Sequence, residues 1–340
     1  LMDFESGNIL AEQEAKATLE PASLTKLMTA YVVFKQIGNQ IELSDVVTIS
    51  EKAWRTPGSR MFVEVGTQVT VEELLKGMII QSGNDASVAL AEHVAGTEET
   101  FAQLMNQYAE ALGMTATQFL NSTGLPAEGH LTSAHDIALL TRAMIVEFPD
   151  LYAWYSEKEY TYNDIRQHNR NTLLWRDNSV DGVKTGHTDS AGYCLVASAK
   201  RGDMRLISVV MGTPSEKARA DASQALLTYG FRFFETHRLY AAGDEITSTR
   251  VWKSDAEQEA FGLTEDLFVT IPRGSYPSLE AEMDLVNGLT APLNQHDPVG
   301  AVRVSLNGEL LVEKPLVALN NVEPGSLWQR AKDQVLMWLE

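Results

Sequence analysis

Three short patterns in the sequence place nucleophilic, basic and cationic side chains at spacings that suit acyl transfer. In the first, Ser23-Leu24-Thr25-Lys26, a helix would put residues three apart on one face, so the Lys26 amine can reach the Ser23 hydroxyl. A serine hydroxyl becomes a useful nucleophile only when a base removes its proton. Lysine can be that base only if burial or nearby positive charge lowers its pKa well below its ordinary value. Ser23 and Lys26 are therefore the candidate nucleophile and base.

The second and third patterns supply groups that could handle a substrate. Ser82-Gly83-Asn84 falls in a break between predicted helices. We expect Ser82 to relay a proton to a leaving amine and Asn84 to hold a substrate amide and the lysine in register. Lys184-Thr185-Gly186 falls on a predicted strand, where Lys184 and Thr185 could bind a carboxylate. Gly186 would let a neighbouring backbone pass close by.

Two further residues are candidates with alternatives left open. The backbone amides of Ser23 and His187 could form an oxyanion hole, while the His187 ring is either functional or incidental. Arg219 lies in the first turn of a predicted helix, where a cation is slightly unfavourable. It either binds a substrate carboxylate or is a solvated arginine beside Glu216.

The order and setting of the three patterns matter more than any one of them. Each is short enough to occur by chance, and Ser6-Gly7-Asn8 repeats the second pattern inside a predicted hairpin turn. The set is specific because each pattern has its own structural setting. The first lies at the start of a helix, the second lies between two helices, and the third lies on a strand beside a hairpin. That arrangement is typical of the serine acyl-transfer enzymes among penicillin-binding proteins and class A β-lactamases.

The elements that would position these groups form an α+β domain. Helical periodicity and capping residues predict helices from about Pro21, over Val71–Ile80, and from about Asp85, Thr97, Ser133 and Ser215. Alternating apolar residues predict antiparallel strands at Gly182–Gly186, Gly192–Ala199 and Arg205–Gly212. We therefore expect a helical cluster on an antiparallel sheet over residues 1–233.

The rest of the chain changes character at about Phe234. Short strands are predicted at Val251-Trp252, Leu267–Ile271, Leu279–Leu285, Val302–Leu306 and Leu310–Glu313, the last two joined by a hairpin turn at Asn307-Gly308. This pattern indicates a small all-β domain over residues 234–325.

The tail, residues 326–340, has an apolar helical face. Its members are Leu327, Trp328, Ala331, Val335, Trp338 and Leu339. Two interpretations remain open: a helix packed on the β domain, or the start of an amphipathic helix lying on a membrane surface.

Composition excludes several classes of function. The chain has 340 residues, 46 of them acidic and 27 basic, and the net charge of −19 argues against a nucleic-acid partner. The single cysteine, Cys194, excludes an internal disulfide and a cysteine-based zinc site. His130 and His135 have no obvious third ligand, so we expect no metal and no organic cofactor. No run of 18 apolar residues could span a bilayer, and we expect any export signal to have been removed already.

Longer stretches around the patterns resemble one family, the low-molecular-mass penicillin-binding proteins of the 5/6 group, which are serine D-alanyl-D-alanine carboxypeptidases. The resemblance rests on residues 20–29, 81–86, 181–193, 204–212 and 229–235 and extends essentially end to end. It implies a penicillin-binding/β-lactamase-like fold and removal of the terminal D-alanine from peptidoglycan pentapeptide stems in the periplasm. It also implies acylation by β-lactam antibiotics and a C-terminal helix on the outer face of the cytoplasmic membrane.

The resemblance also assigns residues by matching position. Ser23 and Lys26 are the nucleophile and base, Ser82 and Asn84 form the second element, and Arg219 falls where the family places a carboxylate-binding arginine. The third element consists of Lys184, Thr185, Gly186 and His187. In one departure from the family, the Trp54–Phe62 segment looks short, and we expect it at the rim of the cleft.

Two other functions share these patterns. A class A β-lactamase uses a glutamate to activate the deacylating water, four residues before an asparagine. The comparable asparagine here is Asn121, and Thr117 stands where the glutamate would be. We therefore expect slow hydrolysis of a β-lactam acyl-enzyme, with a serine β-lactamase as the alternative. A non-catalytic β-lactam or peptide sensor is disfavoured by the intact Ser23 and Lys26.

Overall fold

A computed structural model describes residues 1–338, and the chain divides into two compact units. The first comprises residues 1–231 and the second begins at residue 232, two residues before the predicted boundary. The tail residue Leu339, predicted on the apolar helical face, lies outside the described residues together with Glu340.

The first unit contains helices and an antiparallel sheet, which confirms the predicted α+β class. Its strands are β1 (Met2–Asp3), β2 (Val46–Thr48), β3 (Gln68–Thr70), β4 (Glu159–Tyr162), β5 (Ile165–His168), β6 (Val180–Thr188), β7 (Gly192–Arg201) and β8 (Met204–Thr213). Its helices are α1 (Thr25–Gln36), α2 (Glu51–Arg55), α3 (Val71–Ile80), α4 (Asn84–Ala95), α5 (Glu98–Ala111), α6 (Ala134–Glu147), α7 (Pro149–Tyr152), α8 (Leu173–Arg176) and the long α9 (Glu216–Phe233).

The main sheet has strand order β1-β8-β7-β6, with antiparallel pairing throughout. The third sequence pattern lies on the edge strand β6, where Lys184 pairs with Val196 and Gly186 with Cys194. A 3-10 turn over Ala22–Leu24 leads directly into α1 and packs against β6. The edge of the sheet is therefore the element that brings the first and third patterns together.

Helix α1 is buried on nearly all sides, which differs from the predicted one-sided apolar stripe. Every residue of Thr25–Phe34 is buried, including the polar Thr25, Lys26 and Thr29. A helix buried all round belongs to the centre of a domain, and polar residues on such a helix need internal partners. The partners of Lys26 define the site described below.

Several helices begin at a residue whose side chain caps the first turn. The Thr70 hydroxyl caps α3 in a reciprocal capping box with Glu73, and the Thr97 hydroxyl caps α5. Ser133 caps α6 as predicted, but Asp136 does not complete a capping box there. Its carboxylate instead accepts hydrogen bonds from the Ala116 amide and the Thr117 hydroxyl.

The second unit is built from β-strands, as predicted, with one terminal helix. Its strands are β9 (Phe234–Tyr240), β10 (Thr247–Thr249), β11 (Glu259–Gly262), β12 (Leu267–Pro272), β13 (Leu279–Leu285), β14 (Pro298–Leu306) and β15 (Glu309–Ala318). A five-stranded sheet has the order β10-β11-β15-β14-β13, and β9 pairs with β12. The predicted hairpin joins β14 to β15, and Asn307 and Gly308 both have positive φ, at 52° and 82°.

Some elements differ from the predictions. Val251-Trp252 is not a strand, since Trp252 forms only an isolated bridge with Thr290. The short pairs β2–β3 and β4–β5 were not predicted, because each strand has only three or four residues and little alternation. Within residues 1–338, no helix is long and apolar enough to cross a membrane.

The terminal helix α10 (Leu327–Leu336) begins at Ser326, whose hydroxyl accepts a hydrogen bond from the Gln329 amide. The described members of the predicted apolar face are exposed to solvent, with Trp328 77% and Trp338 85% exposed. The opposite face, which carries Asp333, packs on the β-rich unit. The helix therefore packs on the β-rich unit, as in one of the two interpretations of the tail, but it does so through its polar face and leaves the apolar face exposed.

Candidate active site

The centre of the site is the Lys26 side chain, which is 1% exposed. Its Nζ lies 2.9 Å from Ser23 Oγ, 2.7 Å from Asn84 Oδ1 and 2.7 Å from the Thr123 carbonyl oxygen. The two carbonyl-type oxygens can accept only hydrogen bonds that the amine donates. In the neutral amine, both N–H groups have these acceptors and the lone pair is left facing the Ser23 hydroxyl. The geometry can therefore serve proton transfer from Ser23 to Lys26.

The electrostatics of the site suit the same role. Burial, together with the positive charge of Arg170, lowers the pKa of Lys26 from 10.5 to about 7, against a smaller opposing effect of Asp85. None of the three groups bonded to the amine carries a negative charge that would hold it protonated. Near neutral pH, a large fraction of Lys26 is therefore the free base that a serine nucleophile needs.

Asn84, the first residue of α4, joins Lys26 to the Trp54–Phe62 segment. Its side chain accepts from Lys26 through Oδ1 and donates through Nδ2 to the Pro57 carbonyl, at 2.6 Å. Its backbone amide donates to the Ser59 carbonyl at 2.7 Å. The Trp54–Phe62 segment is thus held directly against the site, where we expected the rim of the cleft.

Ser82 and Lys184 form a second pair beside the first. Lys184 Nζ donates to Ser82 Oγ at 2.9 Å, and both side chains are buried. Burial and the charges of Lys26, Arg170 and Arg219 lower the pKa of Lys184 well below its ordinary value. Ser82 has a left-handed backbone, with φ of 63°, which is uncommon for a residue with a side chain. Such strain at a polar, buried position is typical of functional sites.

The remaining part of the third pattern runs close to Ser23. A Cβ at Gly186 would lie 3.1 Å from the Pro21 carbonyl oxygen and 3.2 Å from the Ser23 nitrogen. A side chain here would crowd the Ser23 amide, so glycine lets β6 approach it without displacing the backbone. Thr185 is buried, whereas the exposed His187 ring stacks on Tyr193 with centroids 3.9 Å apart.

Arg219 reaches the same strand from α9. Its guanidinium donates to the Gly186 carbonyl at 3.1 Å, and the residue is 4% exposed. Glu216 Oε1 lies 3.6 Å from Nη2, and burial lowers the pKa of Arg219. The alternative of a solvated arginine beside Glu216 does not fit a buried side chain.

Arg170, which lies just after β5, was not predicted as part of the site. It is exposed to solvent, like Arg166, which forms an ion pair with Glu159. Arg170 also donates to Ser59 Oγ at 2.8 Å, and its charge lowers the pKa values of Lys26 and Lys184. No local sequence signal distinguishes it, because its position follows from the unpredicted β4–β5 hairpin.

Sequence analysis also missed the loop 121–125, which supplies the Thr123 carbonyl. The Asn121 side chain folds this loop by accepting from the Thr123 and Gly124 amides. A Cβ at Gly124, where φ is +83°, would lie 1.7 Å from the Ala22 carbonyl oxygen, so only glycine fits. The turn composition Asn-Ser-Thr-Gly predicts a tight loop, but nothing local predicts its contact with Lys26.

The structure also locates the residues considered for other chemistries. Both ring nitrogens of His130 are bonded within the protein, Nε2 to the Thr25 hydroxyl and Nδ1 to the Leu120 amide. Burial lowers the pKa of His130 to about 4, so the ring is neutral near pH 7. Thr117 bonds to Asp136 and Thr132, not to Ser23 or Lys26. The Thr117 hydroxyl is therefore engaged away from the base.

Comparison with known proteins agrees with this site. The family model for peptidases of the S11 group, described as D-alanyl-D-alanine carboxypeptidase, matches residues 1–215. The model described as penicillin-binding protein 5, C-terminal domain, matches residues 234–324.

Similar proteins cover nearly the whole chain. D-alanyl-D-alanine carboxypeptidase DacC of Escherichia coli (strain K12) is 48% identical over 346 residues, which cover 99% of this chain and 86% of that protein. DacA of the same strain is 45% identical over 345 residues, covering 98% and 85%. The crystal structure of penicillin binding protein 5 from Haemophilus influenzae superposes with a TM-score of 0.90 at 42% identity, covering 95% of this chain and 96% of that one. The chain therefore belongs to the D-alanyl-D-alanine carboxypeptidase family of serine peptidases, with a second domain of the penicillin-binding protein 5 type.

Proposed function

We propose that the protein removes the terminal D-alanine from peptidoglycan pentapeptide stems through an acyl-enzyme on Ser23. The observation that supports this most directly is the buried Lys26 amine, 2.9 Å from the Ser23 hydroxyl and with a pKa of about 7. This pair is a nucleophile with its own base, and the chain's membership of the carboxypeptidase family supplies the substrate class.

In the acylation step, Lys26 takes the proton of Ser23 while Oγ attacks the carbonyl carbon between the two D-alanines. The carbonyl oxygen becomes an oxyanion, for which the backbone amides of Ser23 and His187 are the proposed donors. The C–N bond then breaks, and the leaving amine takes up the proton that Lys26 removed from Ser23, so Lys26 becomes neutral again. Ser82 is the proposed relay, because its hydroxyl lies within the buried group formed with Lys184. The products of this step are free D-alanine and an ester on Ser23.

The substrate's terminal carboxylate needs cationic partners in this scheme. Lys184, Thr185 and Arg219 are the proposed binding groups, and Lys184 and Arg219 are buried cations on or beside β6. Buried cations without a full set of anionic partners favour an incoming carboxylate, because its charge offsets their desolvation. Asn84 is the proposed holder of the substrate amide, in addition to its bond with Lys26.

Deacylation returns the enzyme to its starting state. Water attacks the ester carbonyl and gives up a proton to Lys26, which passes it to Ser23 Oγ as the ester bond breaks. The groups that bond to the Lys26 amine are a serine, an asparagine side chain and a backbone carbonyl, with no carboxylate among them. A β-lactam acylates the same serine, and the resulting ester would be hydrolysed slowly. A β-lactamase function is therefore disfavoured.

We also propose that the enzyme acts in the periplasm, on the outer face of the cytoplasmic membrane. The support for membrane attachment is the exposed apolar face of α10, with Leu327, Trp328 and Val335 each more than 60% exposed. Tryptophan is favoured at the interface between lipid and water, because its ring has an apolar body and a polar N–H group.

The function can be tested by intact mass spectrometry with benzylpenicillin and by assay of D-alanine released from diacetyl-Lys-D-Ala-D-Ala. The wild-type protein should form a long-lived adduct on Ser23 and release D-alanine. Ser23→Ala should lose both, and Ser6→Ala, in the duplicate Ser-Gly-Asn pattern, should keep both. An adduct that survives in Ser23→Ala would refute the nucleophile. A short-lived adduct without D-alanine release would identify a β-lactamase instead.

A further inference from the structure

The docking of α10 on the β-rich unit depends on one buried carboxylate. Asp333 is 0% exposed, although it lies in the last turn and a half of an otherwise exposed helix. Its Oδ1 accepts from the Arg250 guanidinium and from Gln329 Nε2, and its Oδ2 accepts from the Lys253 amide at 2.7 Å. A buried carboxylate bonded in this way is expensive to leave unpaired, so it fixes which face of α10 meets the β-rich unit.

The same turn of the β-rich unit also holds the start of the helix. The Gly325 amide donates to the Lys253 carbonyl at 2.7 Å, and the Ser326 amide donates to the Asp255 carboxylate. A Cβ at Gly325 would lie 2.5 Å from Asp255 Oδ1, so the chain enters the helix in close contact with this turn. We name residues 250–255 the socket. Arg250 is itself positioned by Trp252, with its guanidinium 4.2 Å from the ring centroid.

The socket determines where the apolar face points. At 100° per residue, Leu327, Trp328, Ala331, Val335 and Trp338 fall within an arc of about 100°, roughly opposite Asp333. With Asp333 bound in the socket, that arc faces away from the β-rich unit, as the exposure of its members shows. The helix has only ten residues, and helices shorter than about 12 residues are marginal in water. The socket therefore both folds the helix and orients it.

The exposed charges of α10 indicate what kind of surface its apolar face binds. Asp333 is buried and paired with Arg250, so the exposed charges of α10 are the cations Arg330 and Lys332. They flank the apolar arc on opposite sides, in a chain whose net charge is −19. An apolar arc bearing tryptophan between two cations is complementary to a bilayer with anionic headgroups.

We propose that Asp333 is a positioning residue that locks α10 in the socket with its apolar, cation-flanked face directed at an anionic lipid bilayer. The inference rests on the membrane association proposed above and adds the contact that orients the helix. If α10 were connected to the β-rich unit only by a flexible segment, membrane binding would leave that unit at no fixed angle to the bilayer. The Asp333 contact, which we call the lock, gives the unit one orientation on the surface.

The lock can be tested in solution by hydrogen–deuterium exchange of residues 327–336 in the full chain. Asp333→Ala should speed exchange of these amides by about tenfold or more, because the undocked helix frays. Arg250→Ala should have a smaller effect in the same direction, and Gln334→Ala, on the exposed part of the same helix, should have none. Unchanged exchange in both Asp333→Ala and Arg250→Ala would overturn the lock.

The orientation can be tested on vesicles of phosphatidylethanolamine and phosphatidylglycerol. Glu309→Cys, in the exposed β14–β15 hairpin, gives a labelling site, because the native Cys194 is buried. Energy transfer from this label to an acceptor lipid should report one narrow range of distances between the hairpin and the bilayer. In Asp333→Ala this range should broaden, while the fraction of protein bound to vesicles stays within about twofold. An unchanged distance distribution in Asp333→Ala would overturn the orienting role.

The two tests separate the parts of the proposal. A wild-type chain that shows a protected helix but fails to float with these vesicles would overturn the bilayer as occupant while leaving the lock. D-alanine release from the soluble peptide should be the same in all these variants, since none lies in the catalytic unit. Failure of the Ser23 mechanism would change neither the exchange nor the vesicle measurement, so the two proposals fail independently.

Discussion

The pKa of Lys26 leads to a quantitative prediction for the pH dependence of acylation. With a pKa of about 7, about half of Lys26 is the free base at pH 7, whereas at its ordinary value of 10.5 only about one molecule in 3,000 would be. Because the rate follows the free-base fraction, acylation should fall about 50-fold from pH 7 to pH 5 and level off above about pH 8. The burial of Lys26 therefore raises its free-base fraction at neutral pH by about three orders of magnitude.

The assay is the second-order rate of acylation by a fluorescent penicillin between pH 5 and 9, read by stopped flow or quenched gel. Lys26→Arg should lower this rate at least about 1,000-fold at pH 7, because a guanidinium does not deprotonate in this range. Lys35→Arg, a half-buried position on the same helix whose charge pairs with Glu147 and lies away from Ser23, should leave both the rate and the profile unchanged. An inflection above pH 9 in the wild-type protein would refute the argument from burial. A fast Lys26→Arg enzyme would refute Lys26 as the base.

Two further substitutions test other contacts of the site. Gly124→Ala should destabilise the protein by about 1–3 kcal/mol in thermal or urea unfolding and reduce acylation, because its Cβ would meet the Ala22 carbonyl at 1.7 Å. Gly129→Ala, with a similar φ of +88° and nearest atoms at 3.9 Å, supplies the backbone strain without the clash, and equal losses in the two variants would contradict the role of that contact. Arg219→Ala should lower kcat/KM for the diacetyl tripeptide by about 10- to 100-fold, the value of one or two hydrogen bonds to a charged group, with a smaller effect on penicillin acylation. Equal losses for the two substrates would argue against a role specific to the peptide carboxylate.

The sequence predicts the parts of the site that depend on local spacing. The Ser23–Lys26 contact follows from helical geometry, and the strand carrying Lys184 follows from alternation beside two neighbouring strands. The burial of α1 on nearly every side, its polar Thr25, Lys26 and Thr29 included, could not be predicted from its apolar residues. Local pattern shows that a residue is apolar, but not how many neighbours will cover it.

The parts that could not be predicted depend on contacts between distant segments. Thr123 meets Lys26 across 97 positions, and Arg170 meets Ser59 across 111. Neither segment carries a motif, since one offers only a backbone carbonyl and the other an arginine beside a short hairpin. Similarly, the tail sequence predicts an amphipathic helix, but only the partners of Asp333 show which face packs on the protein.

The cause of the lowered pKa of Lys26 determines how that pKa responds to salt. A pKa lowered by surface charges returns toward its ordinary value as ionic strength rises, because mobile ions screen those charges. Lys26 owes its lowered pKa first to burial, which dissolved ions do not reach, and only second to the exposed Arg170. Dilute and saline surroundings should therefore leave the proton affinity of Lys26 nearly the same, and the pH range of acylation should change little with ionic strength.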